Sequence, residues 1–168
     1  MRCFLLIFLC LLSGCFASAQ SSPVIKDTGQ KKITFDGQNI SLPAIRPTSN
    51  KLSNNDHIYI EVYEDKSYKI YFTIGPCQGQ YACLKGSYAQ FRKNSVLDKL
   101  FLPSLFNGKK EYQFDNFKGY VIPSEIAAYP SETLFVWEDN NILHVIGSKN
   151  DDVDILIESA KSLYSQAK

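Results

Sequence analysis

Apolar and polar residues alternate strictly along residues 57–74. The apolar positions fall on one face of each of two runs, which are separated by a turn at residues 64–67. They are Ile58, Ile60 and Val62 in the first run, and Tyr68, Ile70, Phe72 and Ile74 in the second. A period of two over adjacent runs predicts an antiparallel hairpin with one buried side.

Other segments predict further strands. Asp36-Gly37 stands between two short alternating runs, which is a strong hairpin signal. Residues 133–138 and 142–146 are apolar on both faces around a turn at residues 139–141, so we expect this hairpin in the centre of the sheet. The remaining predicted strands are residues 31–35, 38–42, 84–91, 110–115 and 119–122.

Connections lie between these strands. Residues 43–55 are polar and contain prolines, which predicts a loop. Residues 95–106 carry apolar positions at helical spacing, but Pro103 limits them to a short helical turn. Residues 124–130 are a predicted connection.

The last 19 residues predict a helix by their spacing of apolar residues. Asn150 or Asp151 is its expected cap, with Asp152 and Asp154 in the first turn, where the helix dipole favours acids. The apolar face consists of Val153, Leu156, Ile157, Ala160, Leu163 and Tyr164. The fold class is therefore α+β: a twisted antiparallel β-sheet with one C-terminal α-helix packed on one face.

The N-terminus has the form of an export signal. Arg2 precedes an apolar run from Cys3 to Leu12, which is shorter than the roughly 20 residues that span a bilayer. We expect residues 1–14 to be the signal peptide, residues 15–30 a flexible tether and residues 31–168 a single domain. An alternative cleavage site follows residue 19, after Ala17-Ser18-Ala19.

Leu12-Ser13-Gly14-Cys15 resembles the lipobox of bacterial lipoproteins. The resemblance implies that the Cys15 thiol carries a lipid and that acyl chains anchor the protein to a membrane. Phe16 follows, and lipoproteins without Asp at that place usually go to the outer membrane. The alternative is that Cys15 leaves with the signal and the protein is periplasmic.

Charge and cysteine content fit this location. The chain has 18 basic and 17 acidic residues, and because Arg2 lies in the signal, the remaining chain is formally neutral. We therefore expect no nucleic-acid partner. Cys77 and Cys83 are the two cysteines outside the signal region, and in an exported chain such a pair predicts a disulfide.

Catalytic and metal-binding patterns are missing from the sequence. His57 and His144 both lie in predicted strands, with no nucleophile motif beside them. The acids of residues 150–154 lack the glycine and late glutamate of a calcium loop, and helix capping explains them better. We expect no catalytic residue, no metal and no cofactor.

Tyr59, Tyr63 and Tyr71 are the candidate binding surface, because they lie opposite the apolar stripe of the first hairpin. Tyrosine offers contact area and a directional hydroxyl at a low cost in entropy. The simpler alternative is cross-strand pairing that only stiffens the sheet.

The pattern Cys77-x-Gly79-x-x-x-Cys83-x-x-Gly86, followed by Trp137, a hairpin and a terminal helix, resembles small exported bacterial proteins of unassigned function. It covers roughly the last hundred residues, and the second cysteine pair often seen before the tryptophan strand is missing. We expect a non-enzymatic envelope protein, a lipoprotein that acts as a protein-binding or structural module. The alternative is an immunity or inhibitor protein that blocks an enzyme toxin.

Overall fold

A computed structural model describes residues 19–21, 24–47, 54–63, 65–78, 80–93, 110–114, 117–123, 132–149 and 152–166. The predicted signal peptide at residues 1–14, Cys15 and the predicted segments 95–106 and 124–130 lie outside these residues. The strands are β1 (Ala19–Ser21), β2 (Ile25–Lys26), β3 (Lys32–Phe35), β4 (Gln38–Ser41), β5 (Asp56–Tyr63), β6 (Tyr68–Ile74), β7 (Leu84–Arg92), β8 (Lys110–Phe114), β9 (Phe117–Ile122), β10 (Thr133–Asp139) and β11 (Ile142–Ser148). Helix α1 spans Val153–Tyr164, and a 3-10 turn covers Tyr81–Cys83.

The main sheet is antiparallel throughout, with the order β1-β5-β6-β7-β11-β10-β9-β8. It consists of two meanders, β5-β6-β7 and β8-β9-β10-β11, which meet where β11 pairs with β7. Strand β2 also pairs with β5, and β3-β4 form a separate hairpin. The hairpin predicted to be central, β10-β11, has a neighbouring strand on each side, as expected from its apolar faces.

Turn residues adopt the backbone conformation that their side chains tolerate. Asp36 and Gly37 have φ of 49° and 68°, and Asn140 and Asn141 have φ of 49° and 62°. Two successive positive φ values are those of the tight hairpin turns that match the twist of the sheet, and Asp, Asn and Gly adopt them at the lowest cost. Both hairpins are thus set by local sequence.

One face of the sheet carries the principal core. The β3-β4 hairpin and α1 both pack on this face, against side chains from β5, β6, β7, β10 and β11. Tyr88, Phe135 and Ile146 are among its buried residues. Ile74, predicted to join this face, is instead 54% exposed, and it lies beyond a register shift between Phe72 and Thr73.

Helix α1 packs on β10 and β11, which confirms the predicted fold class. Leu156, Ile157, Ala160 and Leu163 are buried, as the helical spacing predicts. The prediction that Asn150 or Asp151 caps the helix was wrong. Asp152 caps the helix, and its side chain accepts a hydrogen bond from the Ile155 N–H at 3.2 Å.

The N-terminal segment belongs to the fold wherever it is described. Strands β1 and β2 pair with β5, although a flexible tether was predicted for residues 15–30. Asp27 is buried and forms an ion pair with Arg46, with 2.8 Å between Oδ2 and Nε. A segment that supplies strand hydrogen bonds and a buried charge is part of the domain.

The second face of the sheet has its own apolar cluster, formed by Ala89, Phe91, Ile122, Val136 and Leu143. Among the described residues, no helix has the length and apolar content needed to span a membrane.

Candidate functional site

The predicted tyrosines lie together on the second face of the sheet. Tyr59 and Tyr63 alternate with buried residues on β5, and Tyr71 lies opposite Tyr59 on β6. Glu61 and Lys69 form the next cross-strand pair on the same face. We call these five residues the tyrosine face.

Glu61 holds two of the tyrosines in place. Its Oε2 accepts hydrogen bonds from the Tyr63 hydroxyl at 3.1 Å and from the Tyr71 hydroxyl at 3.0 Å. Burial, and then the Glu61 charge, raise the pKa of both tyrosines far above the ordinary value. Both hydroxyls therefore stay protonated, and both rings are fixed by a charge-assisted hydrogen bond.

Lys69 lies beside these rings. Its Nζ is 4.6 Å from the centre of the Tyr71 ring, within the range of a cation–π interaction. Burial lowers the pKa of Lys69, and Glu132 and Glu61 offset part of that effect. The face thus combines a carboxylate, an ammonium group and aromatic rings in one patch.

The tyrosines differ in their exposure. Tyr59 is 9% exposed, and its ring centre lies 5.7 Å from that of Tyr71, so this pair shows the cross-strand packing of the simpler alternative. Tyr63 and Tyr71 are half-buried and keep part of their rings accessible. Of the three candidates, these two can contact another molecule.

A buried acid, Glu132, adjoins this face, and sequence reasoning missed it. Glu132 is 8% exposed, and its Oε2 accepts a hydrogen bond from Ser87 at 3.2 Å. Its Oε1 is buried without a hydrogen-bond partner among the described residues. Gly147 leaves room for it, since a Cβ there would lie 2.8 Å from Oε1. Burial raises the pKa of this carboxyl.

Cys77 and Cys83 form the predicted disulfide, with 6.4 Å between their Cα atoms. The bond closes a short loop between β6 and β7, and the 3-10 turn at Tyr81–Cys83 leads into β7. The loop begins after Ile74, whereas Tyr71 pairs with Ser87 within the β6–β7 ladder. The disulfide therefore fixes the β6–β7 connection.

Three aromatic rings stack on the principal face of the sheet. His144 lies between Trp137 and Tyr88, with ring centres 4.7 Å and 6.2 Å away and planes within 7° on both sides. The Tyr88 hydroxyl lies 2.9 Å from His144 Nδ1. Burial lowers the pKa of His144 to about 4, so this imidazole is neutral at pH 7.

A recess of about 90 Å³ opens beside these rings, between the sheet and the last turn of α1. The three stacked rings line one side, together with Gln90 and Asp139, and Ser41, Leu163, Tyr164 and Gln166 line the other. No sequence pattern predicted it, because its residues come from five separate segments. We call this feature the aromatic recess.

Metal chemistry finds no support in the described part of the chain, where no group of three or more His, Cys, Asp or Glu residues could hold an ion. Comparisons of the chain with models of protein families, with curated proteins and with solved structures give no match.

Proposed function

We propose that this chain is an exported, non-enzymatic protein of the cell envelope that binds another envelope protein through the tyrosine face. The observation that carries the proposal is the fixing of Tyr63 and Tyr71 by Glu61 on a partly accessible patch.

The tyrosine face has the properties of a preformed contact surface. A ring that is already fixed loses little conformational entropy when a partner binds, so more of the contact energy appears as affinity. Tyrosine also combines apolar area with a polar tip, which suits a surface that is wet before binding and dry afterwards. Lys69 adds a charge for orientation.

The envelope location is supported by the N-terminal pattern and the disulfide. Disulfides persist in oxidising compartments outside the cytoplasm, and the Cys77–Cys83 bond fits such a compartment. Lipidation of Cys15 would place the domain at a membrane surface, next to its partner.

The anchoring part of the proposal is tested with Cys15→Ala. In a bacterial host, this variant should move from the membrane fraction to the soluble fraction and lose labelling by a fatty-acid analogue. Cys10→Ala, a change within the apolar run, is the matched control and should keep both. A wild-type protein that takes up no label contradicts the lipoprotein assignment.

The binding part is tested with a photo-cross-linking amino acid at Tyr63, compared with one at Lys32, which is exposed on β3. We expect a discrete cross-linked envelope protein from position 63 and none from position 32. The product should weaken when Tyr71→Ala removes the neighbouring ring. Equal patterns at both positions contradict the proposal, and a cross-linked secreted enzyme favours the inhibitor alternative.

A further inference from the structure

Strand β1 begins four residues after Cys15 and joins the sheet beside the tyrosine face. Its first residue, Ala19, pairs with Tyr63 at the end of β5. An extended chain spans at most about 3.6 Å per residue, so the Cα atoms of Cys15 and Ala19 are no more than about 14 Å apart, whatever path connects them. Paired Cα atoms on neighbouring antiparallel strands are about 5 Å apart. The Cα atom of Tyr63 therefore lies within roughly 20 Å of the Cα atom of Cys15.

The two ends of the β5-β6 hairpin differ in their distance from this attachment point. Tyr63 lies at the near end, whereas Asp56 pairs with Ile74 at the other end, seven residues and about 24 Å further along β5. The loop closed by the Cys77–Cys83 disulfide follows Ile74. A membrane anchor at Cys15 would thus hold the Tyr63 end of the sheet near the lipid and leave the disulfide loop at the distal end.

The accessible part of the tyrosine face is small. Tyr59 is 9% exposed, and Tyr63 and Tyr71 are half-buried. A patch built on two partly accessible rings suits a weak, transient contact rather than a stable complex between freely diffusing proteins. Confining both partners to one membrane raises their effective concentration, which compensates for a weak contact without any additional surface. A partner in the same membrane gains this advantage, and a freely diffusing protein does not.

We propose that the Tyr63 end of the sheet faces the membrane and that the partner of the tyrosine face is a protein embedded in that same membrane. The partner presents its contact surface within roughly 20 Å of the lipid headgroups, where the short connection to Cys15 holds Tyr63. This inference rests on the proposed function, because it takes Cys15 as the lipidated residue and the tyrosine face as the binding surface.

The orientation is tested with the purified lipoprotein in vesicles of phosphatidylethanolamine and phosphatidylglycerol that contain a headgroup-labelled lipid. Cys77 and Cys83 are bonded and Cys15 carries the lipid, so an introduced cysteine is the single free thiol of the processed chain. Arg92→Cys and Ile74→Cys receive the same dye. Both positions are exposed.

Arg92 marks the near end of the sheet, because its N–H donates to Ser67 Oγ beside the β5–β6 turn at 3.3 Å. The two labelled positions differ by about 25 Å along the strands, so energy transfer to the labelled lipid should be at least about twofold stronger from position 92 than from position 74. Equal transfer, or stronger transfer from position 74, overturns the orientation.

The class of partner is tested by lengthening the connection between Phe16 and Ala17. A proline-rich spacer of about 20 residues moves the domain up to about 60 Å from its anchor, whereas a Gly/Ser spacer of equal length has a mean extension of only about 25 Å and still lets the domain return to the membrane. The photo-cross-linked product from position 63 should weaken about tenfold or more with the proline-rich spacer and clearly less with the Gly/Ser spacer.

The cross-linked partner should also stay in the membrane until detergent is added. A soluble partner, or a product of equal strength with the native connection and both spacers, overturns this inference while the proposed function stands. A wild-type protein that takes up no fatty-acid label, or that gives no discrete product from position 63, contradicts the proposed function itself and the inference with it.

Discussion

At the scale of single residues, burial determines the protonation state of His144. The ring is stacked between Trp137 and Tyr88, and burial lowers the pKa of His144 to about 4, while the Asp139 charge only partly offsets that effect. The ordinary pKa of histidine is near 6.5, so the folded and unfolded chains bind different numbers of protons between these values.

We expect His144 to make the protein less stable as the pH falls from about 6.5 to about 4. In that window the unfolded chain binds a proton at this residue and the folded protein does not, so acid favours unfolding. The pKa difference corresponds to about 3 kcal/mol across the window. Chemical denaturation at a series of pH values measures it.

His144→Phe is the control for this pH dependence. Burial raises the pKa of Glu132, which acts in the opposite direction because the folded state then holds the proton more tightly than the unfolded chain. The difference between wild type and His144→Phe cancels the contribution of Glu132. Parallel pH profiles for the two proteins would refute the role of His144.

At the scale of elements, α1 depends on a small set of buried side chains. Leu156 is fully buried against the principal core. Leu156→Ala should therefore lower the free energy of unfolding by about 2–5 kcal/mol. Glu158→Ala, at an exposed position of the same helix where Glu158 forms an ion pair with Lys161, should change it by about 0.5 kcal/mol or less. Denaturant titration of both variants distinguishes them, and equal midpoints would contradict the packing.

Some features of α1 follow from the spacing of its apolar residues, and others do not. Helical period predicted the buried face, because that period follows from backbone geometry alone. It did not select Asp152 from a run of possible caps, since adjacent acids look equivalent in sequence. Nor does it explain Ser159, which is fully buried and whose hydroxyl has no hydrogen-bond partner in the described part of the chain.

For the strands too, local sequence predicted the elements but not the pairing between distant ones. Alternation and turn residues predicted β3 to β7 and β8 to β11 close to their observed bounds, because pleat and turn conformation are local properties. The pairing of β7 with β11 was not predicted. It joins residues fifty or more positions apart, such as Tyr88 and Ile146, and no local pattern encodes that choice.

At the scale of the whole molecule, the candidate sites depend on this long-range pairing. The tyrosine face lies on one hairpin, and its three tyrosines were predicted from the sequence, whereas Glu61 and Lys69 were not. The aromatic recess exists only because β7, β11 and β10 are neighbours and α1 ends above them. His144 looked like an ordinary strand residue until the pairing placed Trp137 and Tyr88 beside it.

At the same scale, the N-terminal segment is a structural part of the domain. It supplies β1 and β2 to the edge of β5, and its Asp27 receives two hydrogen bonds of 2.8 Å from Arg46. Arg46 also donates to the Gln30 carbonyl at 2.9 Å. A flexible tether would make none of these contacts, so truncation separates the two descriptions.

A chain that begins at residue 31 should be less stable than one that begins at residue 19. It loses both edge strands and leaves the buried Arg46 guanidinium without Asp27, and breaking a buried pair typically costs about 3–5 kcal/mol. A chain that begins at residue 24 keeps Asp27 and should lose much less. Asp27→Asn in the chain from residue 19 separates the charge from the strand pairing. Guanidinium denaturation of these chains measures the effect. Equal midpoints for the chains that begin at residues 19 and 31 would support the prediction of a flexible tether.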